Sequence, residues 1–206
     1  MIEIKKLPLA RWEDYKNLRL EALKNEPYSF GSSYQEEVSL SKEVWLSRMN
    51  NALFALSNDK PIGMVIYTFD NQLNNKHIAR IHGLYVDQAF RNQGIGLRLM
   101  YQAIALIHEN KDIRKVELAV NPEQNFAVRL YNRCGFNSIG VYKNEFCIDG
   151  QYCDSLAMEK FIWSQAEFDS NNTASLAQRK QTLKDILNKK IWNAITTGRG
   201  IRRPLL

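Results

Sequence analysis

The stretch Arg91-Asn92-Gln93-Gly94-Ile95-Gly96 separates a β-like segment from a helical one. Before it, Ile78–Val86 alternates in the manner of a strand, and after it Leu97–Ile107 repeats apolar residues at helical spacing. Gly94 and Gly96 permit backbone angles that other residues resist, and they leave no side chain in the path of a ligand. Because the first N–H groups of a helix lack internal partners and lie at its positive end, this junction predicts an anion site suited to a pyrophosphate.

Two other phosphate-binding motifs do not fit this junction. The dinucleotide pattern G-x-G-x-x-G fails because Leu99 stands at the third glycine, and the chain contains no Gly-Lys-Ser or Gly-Lys-Thr of a P-loop. Arg91 adds a fixed positive charge with several hydrogen-bond donors. A strand, two glycines and a helix also fit a purely structural turn, so the neighbouring sequence has to decide.

The flanking segments predict a single mixed α/β domain. Alternation places His82, Leu84 and Val86 on one face of their strand, and Gly83 and Tyr85 on the other. The N-terminal side predicts a strand, two helices, the second capped by Ser41, and a hairpin, which are Ile2–Leu7, Trp12–Lys24, Lys42–Met49 and Ala52–Phe69. The C-terminal side predicts a strand, Val116–Val120, and then a helix. Asn121-Pro122 opens this helix with Gln124 as the capping-box partner, and Gly135 ends it. The strands that follow are predicted to be Phe136–Tyr142, Glu145–Ile148 and Gln151–Glu159, with a turn at Asp149-Gly150.

The charge of the chain is concentrated in its last part. The formal net charge is +6, but residues 161–206 hold eight Lys/Arg against three acids, whereas residues 1–160 hold 20 against 19. The first 160 residues therefore give no reason to expect nucleic-acid binding. Residues 161–206 are predicted to form a basic, partly helical C-terminal extension. Its apolar stripe fits packing on its own domain or on a twin subunit, and its basic side fits a membrane surface or an acidic partner.

The sequence is typical of a protein of the reducing cytoplasm. It contains three cysteines, an odd number, and no C-x-x-C pair. The N-terminus shows no basic stretch followed by a long apolar run, so no signal peptide is expected. No segment approaches the roughly 18 consecutive apolar residues that suggest a membrane span.

Three ordered stretches resemble the GNAT superfamily of N-acetyltransferases. In the first, Arg91, Gly94 and Gly96 match the family pattern Gln/Arg-x-x-Gly-x-Gly/Ala. Residues 125–136, Asn-Phe-Ala-Val-Arg-Leu-Tyr-Asn-Arg-Cys-Gly-Phe, resemble the second family block, which ends in Leu-Tyr-x-x-x-Gly-Phe. Residues 149–159, Asp-Gly-Gln-Tyr-Cys-Asp-Ser-Leu-Ala-Met-Glu, look like the ending of many bacterial members. The resemblance covers residues 1–160 and implies the family fold, a central mixed, mostly antiparallel sheet flanked by helices.

The resemblance implies acetyl-CoA as the donor and no metal. In the family, the main chain of the strand before the glycine loop pairs with the pantetheine arm, and the matching residues here are Leu84, Tyr85 and Val86. Asn125 matches a position that often contacts coenzyme A, although a solvated helix residue is the alternative. The pyrophosphate is expected on the backbone of Arg91, Asn92, Gln93, Gly94, Ile95 and Gly96.

The resemblance also implies direct transfer of the acetyl group to a primary amine. Tyr131 matches the tyrosine that protonates the departing thiolate, a role that suits a phenol with a pKa of about 10. The alternative is that Tyr131 is a core tyrosine.

The general base is less well defined by the resemblance. Where some members carry a glutamate base, this chain has Arg80, which cannot accept a proton. His82 on the same strand face, Glu117 or a water chain are the remaining candidates for the base. Cys134 is disfavoured as an acyl carrier because it lies at a packing position.

The acceptor amine is left open by the sequence. Small amines, amino acids, polyamines, aminoglycosides and protein termini or lysines are all candidates. The N-terminal helices and the loops Tyr28–Tyr34 and Asp70–Lys76 are expected to shape the pocket. A homodimer is consistent with the family. Two other functions stay open: a non-catalytic acyl-CoA-binding module, which the missing glutamate favours, and an interaction protein that acts through its basic C-terminal helix.

Overall fold

Seven strands form one sheet in the computed structural model, which describes residues 1–162 and Gln181. In chain order the strands are β1 Ile2–Lys5, β2 Ala52–Ser57, β3 Lys60–Phe69, β4 Ile78–Val86, β5 Lys115–Val120, β6 Asn137–Ile148 and β7 Gln151–Phe161. Across the sheet they follow the order β1-β2-β3-β4-β5-β7-β6. Among these neighbours β4 and β5 are parallel, and the others are antiparallel. The predicted mixed, mostly antiparallel sheet is confirmed.

Five helices cover the two faces of the sheet within the described residues: α1 Trp12–Asn25, α2 Tyr34–Val38, α3 Lys42–Met49, α4 Ile95–Glu109 and α5 Asn125–Arg133. Strand β2 shows how the faces divide, because Leu53 and Ala55 join one buried cluster while Phe54 and Leu56 join another. The helices α1 and α3 pack on the second cluster through Tyr15, Leu18, Ala22, Trp45 and Met49. The helix α4 packs on the first cluster through Leu99, Met100, Ala103 and Ile107.

Two predicted helix starts differ from those observed, and one predicted side-chain cap does not form. The helix α5 begins at Asn125 rather than at Asn121, because the Asn121 side chain accepts a hydrogen bond from the N–H of Glu123 (2.9 Å) and closes a turn before the helix. Helix α4 begins at Ile95, so Gly96 lies inside its first turn. Ser41 precedes α3 as predicted, but its side chain accepts no hydrogen bond from the helix backbone.

The helix α2 was not predicted, although its start carries a clear local signal. The Ser33 side chain accepts a hydrogen bond from the N–H of Glu36, and the Glu36 carboxylate accepts one from the N–H of Ser33. This capping box satisfies two N–H groups that a short helix would leave open. It holds the segment that carries Glu37, whose carboxylate is buried beneath the sheet face.

A β-bulge in β4 overturns the predicted faces of that strand. Tyr85 pairs with Met64 and His82 with Ile66, so that Gly83 and Leu84 together face Val65 alone. Gly83 has φ of 65°, a conformation that glycine adopts without strain. The alternation therefore inverts after His82: Tyr85 joins the α1 face of the sheet, and Leu84 and Val86 pack against the α4 face.

The C-terminal hairpin is longer than predicted. Strand β6 is continuous from Asn137 to Ile148, with a register irregularity where the sequence predicted a break, and it turns at Asp149-Gly150 as expected. Strand β7 runs to Phe161, and the Ile162 N–H donates to the carbonyl of Arg114.

No helix in residues 1–162 is both long and apolar enough to cross a membrane. The predicted basic C-terminal extension lies outside the described residues apart from Phe161, Ile162 and Gln181.

Candidate active site

A deep cleft opens where β4 and β5 part. The two strands pair only from Ile78 to Arg80 and from Lys115 to Glu117, and beyond these residues their facing edges line the cleft. The main-chain groups on these edges have no strand partner there, so they are available to a ligand. The cleft has a volume of about 1360 Å³, which is large enough for an extended ligand and a second, smaller one.

The glycine turn lies at one side of this cleft and supplies an open helix N-terminus. Gly94 precedes α4 with φ of 74°, and no side chain caps the helix there. A Cβ atom at Gly94 would meet nothing within 4 Å, so this position requires glycine for its backbone angle rather than for space. At Gly96 the reason is space, because a Cβ atom would lie 3.1 Å from Leu130 of α5. The free N–H groups of the first turn can bind an anion.

Arg91 is already held by protein groups beside this turn. Its Nε donates to the carbonyl of Val86 (3.0 Å), and its Nη2 pairs with Glu26 (2.7 Å). The guanidinium also lies over the ring of Tyr85, 5.9 Å from its centroid. Arg91 therefore joins the end of β4 to the end of α1 and keeps one guanidinium nitrogen outside these contacts.

The cleft brings together most residues that the sequence assigned to the donor. Leu84, Tyr85, Val86, Arg91, Asn92, Gly94, Ile95, Gly96 and Asn125 all line it, whereas Gln93 does not. Tyr85 contributes through its backbone, since its ring is buried against α1 and its hydroxyl lies 3.4 Å from both Asn25 and Glu21. Asn125 is exposed at the first turn of α5.

Tyr131 reaches the cleft from α5. Its ring packs edge-on against Phe136, with centroids 6.3 Å apart, and the side chain is 9% exposed. Burial raises the pKa of the Tyr131 phenol well above its usual value, and the neighbouring Cys134 adds to the increase. The side chain lines the cleft, and no side-chain hydrogen bond within residues 1–162 involves its hydroxyl. It therefore carries its proton at neutral pH and can donate it to a group in the cleft.

His82 lines the opposite part of the cleft, on the α1 face of β4. The surrounding walls remove much of the hydration of its imidazole, although the cleft leaves the ring in contact with solvent. This desolvation and the positive charges of Arg19 and Arg48 outweigh the charge of Glu37 and lower the pKa of His82 to about 4. His82 is therefore uncharged at neutral pH, and it is a weaker base than an ordinary histidine.

Arg80 and Glu117 lie where β4 and β5 still pair. Arg80 Nη1 is 2.8 Å from Asp70, and its Nε is 3.3 Å from Glu117, which also pairs with Lys115 at 2.6 Å. The hydrogen bond to Asp70 raises the pKa of Arg80 further, with Glu117 contributing. Glu117 is thus occupied by two cations, which makes it a poor choice for removing a proton from an amine.

The loop Tyr28–Tyr34 lines the cleft as expected, whereas the loop Asp70–Lys76 does not, and the sequence analysis did not single out Arg19 of α1. Arg19 lines the cleft from the buried face of α1, and Phe30 lies over its guanidinium at 4.5 Å. The loop that contains Phe30 and Gly31 reaches across to β6, where a Cβ atom on Gly31 would lie 3.1 Å from Phe146. A signal was present, since Arg19 interrupts the apolar stripe Tyr15, Leu18 and Ala22 of α1.

Comparison with known proteins agrees with this architecture. The family model "Acetyltransferase (GNAT) family" matches residues 12–136, more than half of the chain. A curated uncharacterized N-acetyltransferase of Methanocaldococcus jannaschii is 33% identical over 103 residues, which is 48% of this chain and 45% of that relative. An L-amino acid N-acetyltransferase of Escherichia coli K12 is 23% identical over 125 residues, 58% of this chain and 76% of the relative.

Comparison with solved structures supports the same fold. A Salmonella typhimurium protein, provisionally described as an acetyltransferase and solved with its cofactor acetyl-CoA, superposes with a TM-score of 0.70 at 12% identity, over 80% of this chain and 96% of its own. The mostly antiparallel seven-stranded sheet flanked by helices matches the fold of the acetyltransferase structures. The chain belongs to the acetyltransferase (GNAT) family.

Proposed function

We propose that the protein transfers the acetyl group of acetyl-CoA to a primary amine by direct attack. The observation that carries this proposal is the convergence, in one cleft, of an unpaired strand edge, an open helix N-terminus and a buried tyrosine with a free hydroxyl. The first two features can bind an extended, anionic donor. The third can deliver a proton to its leaving group.

The residues around the glycine turn fit coenzyme A. The N–H groups of residues 94–96 would hold the pyrophosphate, and Arg91 would add its charge. The main chain of residues 84–86 offers hydrogen bonds to the pantetheine arm in the manner of an added strand. Asn125, at the start of α5, completes this donor side. Within residues 1–162, a Cβ atom at Gly94 would have no neighbour within 4 Å, which leaves room for a ligand there.

The chemistry needs one proton donor and one neutral amine. Acetyl-CoA supplies the acetyl group as a thioester; a C–N bond forms as the C–S bond breaks, and the thiolate takes up a proton. Tyr131 would donate that proton, because burial keeps its phenol protonated. His82 would accept the proton that the amine nitrogen loses, directly or through water. Main-chain N–H groups at the bulge of β4 would polarise the thioester carbonyl.

The acceptor is proposed only as a class at this point. The E. coli relative is named an L-amino acid N-acetyltransferase, so small amines belong in the first screen together with peptide N-termini. The chain covers less than half of the M. jannaschii relative, whose name states no acceptor.

Calorimetric titration of acetyl-CoA tests the donor site. We expect micromolar binding to the wild type and loss of binding in Arg91→Ala/Gly94→Val, since the second change forces a branched side chain into a left-handed backbone. Arg11→Ala is the matched control, because Arg11 pairs with Asp14 and Asp59 and does not line the cleft. A folded wild type that binds no acetyl-CoA would overturn the proposal.

Tyr131→Phe separates an enzyme from a non-catalytic acyl-CoA-binding module. We expect kcat to fall by about 10²-fold with acetyl-CoA affinity unchanged, because only the proton donor is removed. Thiol release from acetyl-CoA in the presence of amines measures the rate. A wild type that binds acetyl-CoA but acetylates no amine would support the module instead.

A further inference from the structure

Arg19 is a buried arginine whose hydrogen bonds leave one side of its guanidinium open. It is 6% exposed, and it forms a bidentate ion pair with Glu37, in which Nε lies 3.0 Å and Nη2 2.8 Å from the carboxylate oxygens. Arg48 pairs with the same carboxylate at 3.0 Å. One carboxylate therefore neutralises two guanidinium groups only in part, and the three side chains together carry one excess positive charge.

The open side of Arg19 is its Nη1 atom. Within residues 1–162 no group accepts a hydrogen bond from Nη1, although the atom is buried. Such a group loses its water without gaining a partner, which costs about 1–3 kcal/mol and more when it is charged. Buried polar groups in folded proteins are nearly always hydrogen-bonded, so an unpartnered one calls for a partner such as a water molecule, an ion or a ligand.

The position of Nη1 is next to the reacting part of the cleft. The atom lies 3.7 Å from the place where a Cβ atom on Gly83 would stand, and Gly83 forms the bulge of β4. Arg19 lines the cleft together with His82, on the face opposite the glycine turn. Phe30 covers one face of the guanidinium at 4.5 Å and so fixes its plane. A ligand group on Nη1 would therefore lie beside the thioester carbonyl, on the acceptor side.

We propose that Arg19 binds the carboxylate of the acceptor, so that the substrates are primary amines that carry a carboxylate close to the amine, as free amino acids do. This inference rests on the proposed acetyl transfer. A carboxylate supplies the oxygen that the Nη1 N–H groups lack, and its single negative charge balances the single excess charge of Arg19, Arg48 and Glu37. A phosphate would exceed that charge, and a neutral carbonyl would leave it unbalanced.

A panel of matched amines tests the inference. Each amino acid is compared with its carboxamide and with the amine that remains after loss of the carboxyl group, in the full chain with acetyl-CoA. We expect kcat/KM for the amino acids to exceed that for both analogues by at least about tenfold. In Arg19→Gln we expect the preference to disappear through a rise in KM for the amino acid. Arg19→Gln/Glu37→Gln serves if the single variant does not fold, since it leaves no buried carboxylate short of a partner.

Arg48→Gln is the matched control. It removes the same charge from the same carboxylate, but Arg48 does not line the cleft and the Nη1 donor of Arg19 remains, so the preference for a carboxylate should be weaker than in the wild type and still exceed that of Arg19→Gln. Equal or faster acetylation of the carboxamides or of the amines without carboxyl groups would overturn the inference while leaving the proposed function intact. Acetyl-CoA binding without transfer to any amine would overturn both.

Discussion

At the scale of single residues, the charges around His82 decide which form of its imidazole would meet the amine of the proposed reaction. Arg19 and Arg48 contribute two positive charges and Glu37 one negative charge, and the cleft walls limit hydration of the ring. An uncharged imidazole does not repel an ammonium group, and it has a free nitrogen that can accept a proton. Its low basicity means that transfer depends mainly on holding the neutral amine close to the thioester.

We expect the imidazole of His82 to titrate near pH 4 rather than near the usual value of about 6.5. Because the unfolded chain binds a proton between these two pH values and the folded chain does not, His82 should lower the stability as the pH falls from about 6.5 towards 4. Proton NMR across this range measures the titration, and His82→Gln identifies the resonance. Arg48→Gln should raise the pKa of His82, because it removes one of the charges that lower it. Titration of His82 near pH 6.5 in the wild type would contradict this account.

At the scale of elements, the bulge in β4 decides which side chains and main-chain groups of this strand face the cleft. Without the extra residue at Gly83 and Leu84, the strand would keep its simple alternation and would turn Tyr85 away from α1. The sequence predicted the bounds of β4 correctly, because Ile78–Val86 is β-like throughout. It did not predict the bulge, since a glycine in a strand can also simply be a small residue, and only the partner Val65 shows which case applies.

Gly83→Ala tests the role of this bulge. The substitution places a Cβ atom at φ of 65° and 2.9 Å from Ile66 Cδ1, so we expect a loss of about 1–2 kcal/mol in the free energy of unfolding. Because the bulge would also present the main chain to the donor in the proposed reaction, kcat should fall more than the loss of stability alone explains. Denaturant unfolding and steady-state kinetics measure the two effects.

Gly140→Ala is the control for that prediction. A Cβ atom at Gly140 would meet nothing within 4 Å, and its φ is not in the left-handed region, so stability and kcat should remain close to wild type. A Gly83→Ala variant that behaves like Gly140→Ala would show that the bulge tolerates a side chain and that its backbone geometry is not required for transfer.

At the scale of the whole molecule, the cleft is assembled from segments that are far apart in sequence. The residues proposed for the donor could be named from the sequence because they form two local motifs, around Gly94 and around Tyr131. The proposed acceptor side was predicted only in part. His82 and the loop Tyr28–Tyr34 were named, but Arg19 of α1 and Phe146 of β6 were not, because only the folded sheet brings them to the same cleft. The buried charge in α1 was a visible anomaly in the sequence, but its partner Glu37 lies on a helix that the sequence analysis did not predict.

The extent of the acetyltransferase domain gives a last prediction. We propose that residues 1–162 suffice, because they contain all seven strands, both buried clusters and the whole cleft. The chain 1–162 should bind acetyl-CoA as the full chain does. The chain 1–160 should be less stable by about 1–2 kcal/mol, since it lacks Phe161, which pairs with Lys115, and the hydrogen bond from Ile162 to Arg114.

Binding to anionic vesicles and to DNA separates the two parts of the chain. Residues 161–206 hold eight Lys/Arg against three acids, while residues 1–160 are nearly neutral, so any salt-sensitive binding should be lost in the chain 1–162. Measuring both chains at low and high salt, together with acetyl-CoA titration, assigns each activity to its segment. A folded chain 1–162 that no longer binds acetyl-CoA would mean that the basic segment belongs to the donor site, and that the boundary drawn by strand β7 is not a functional one.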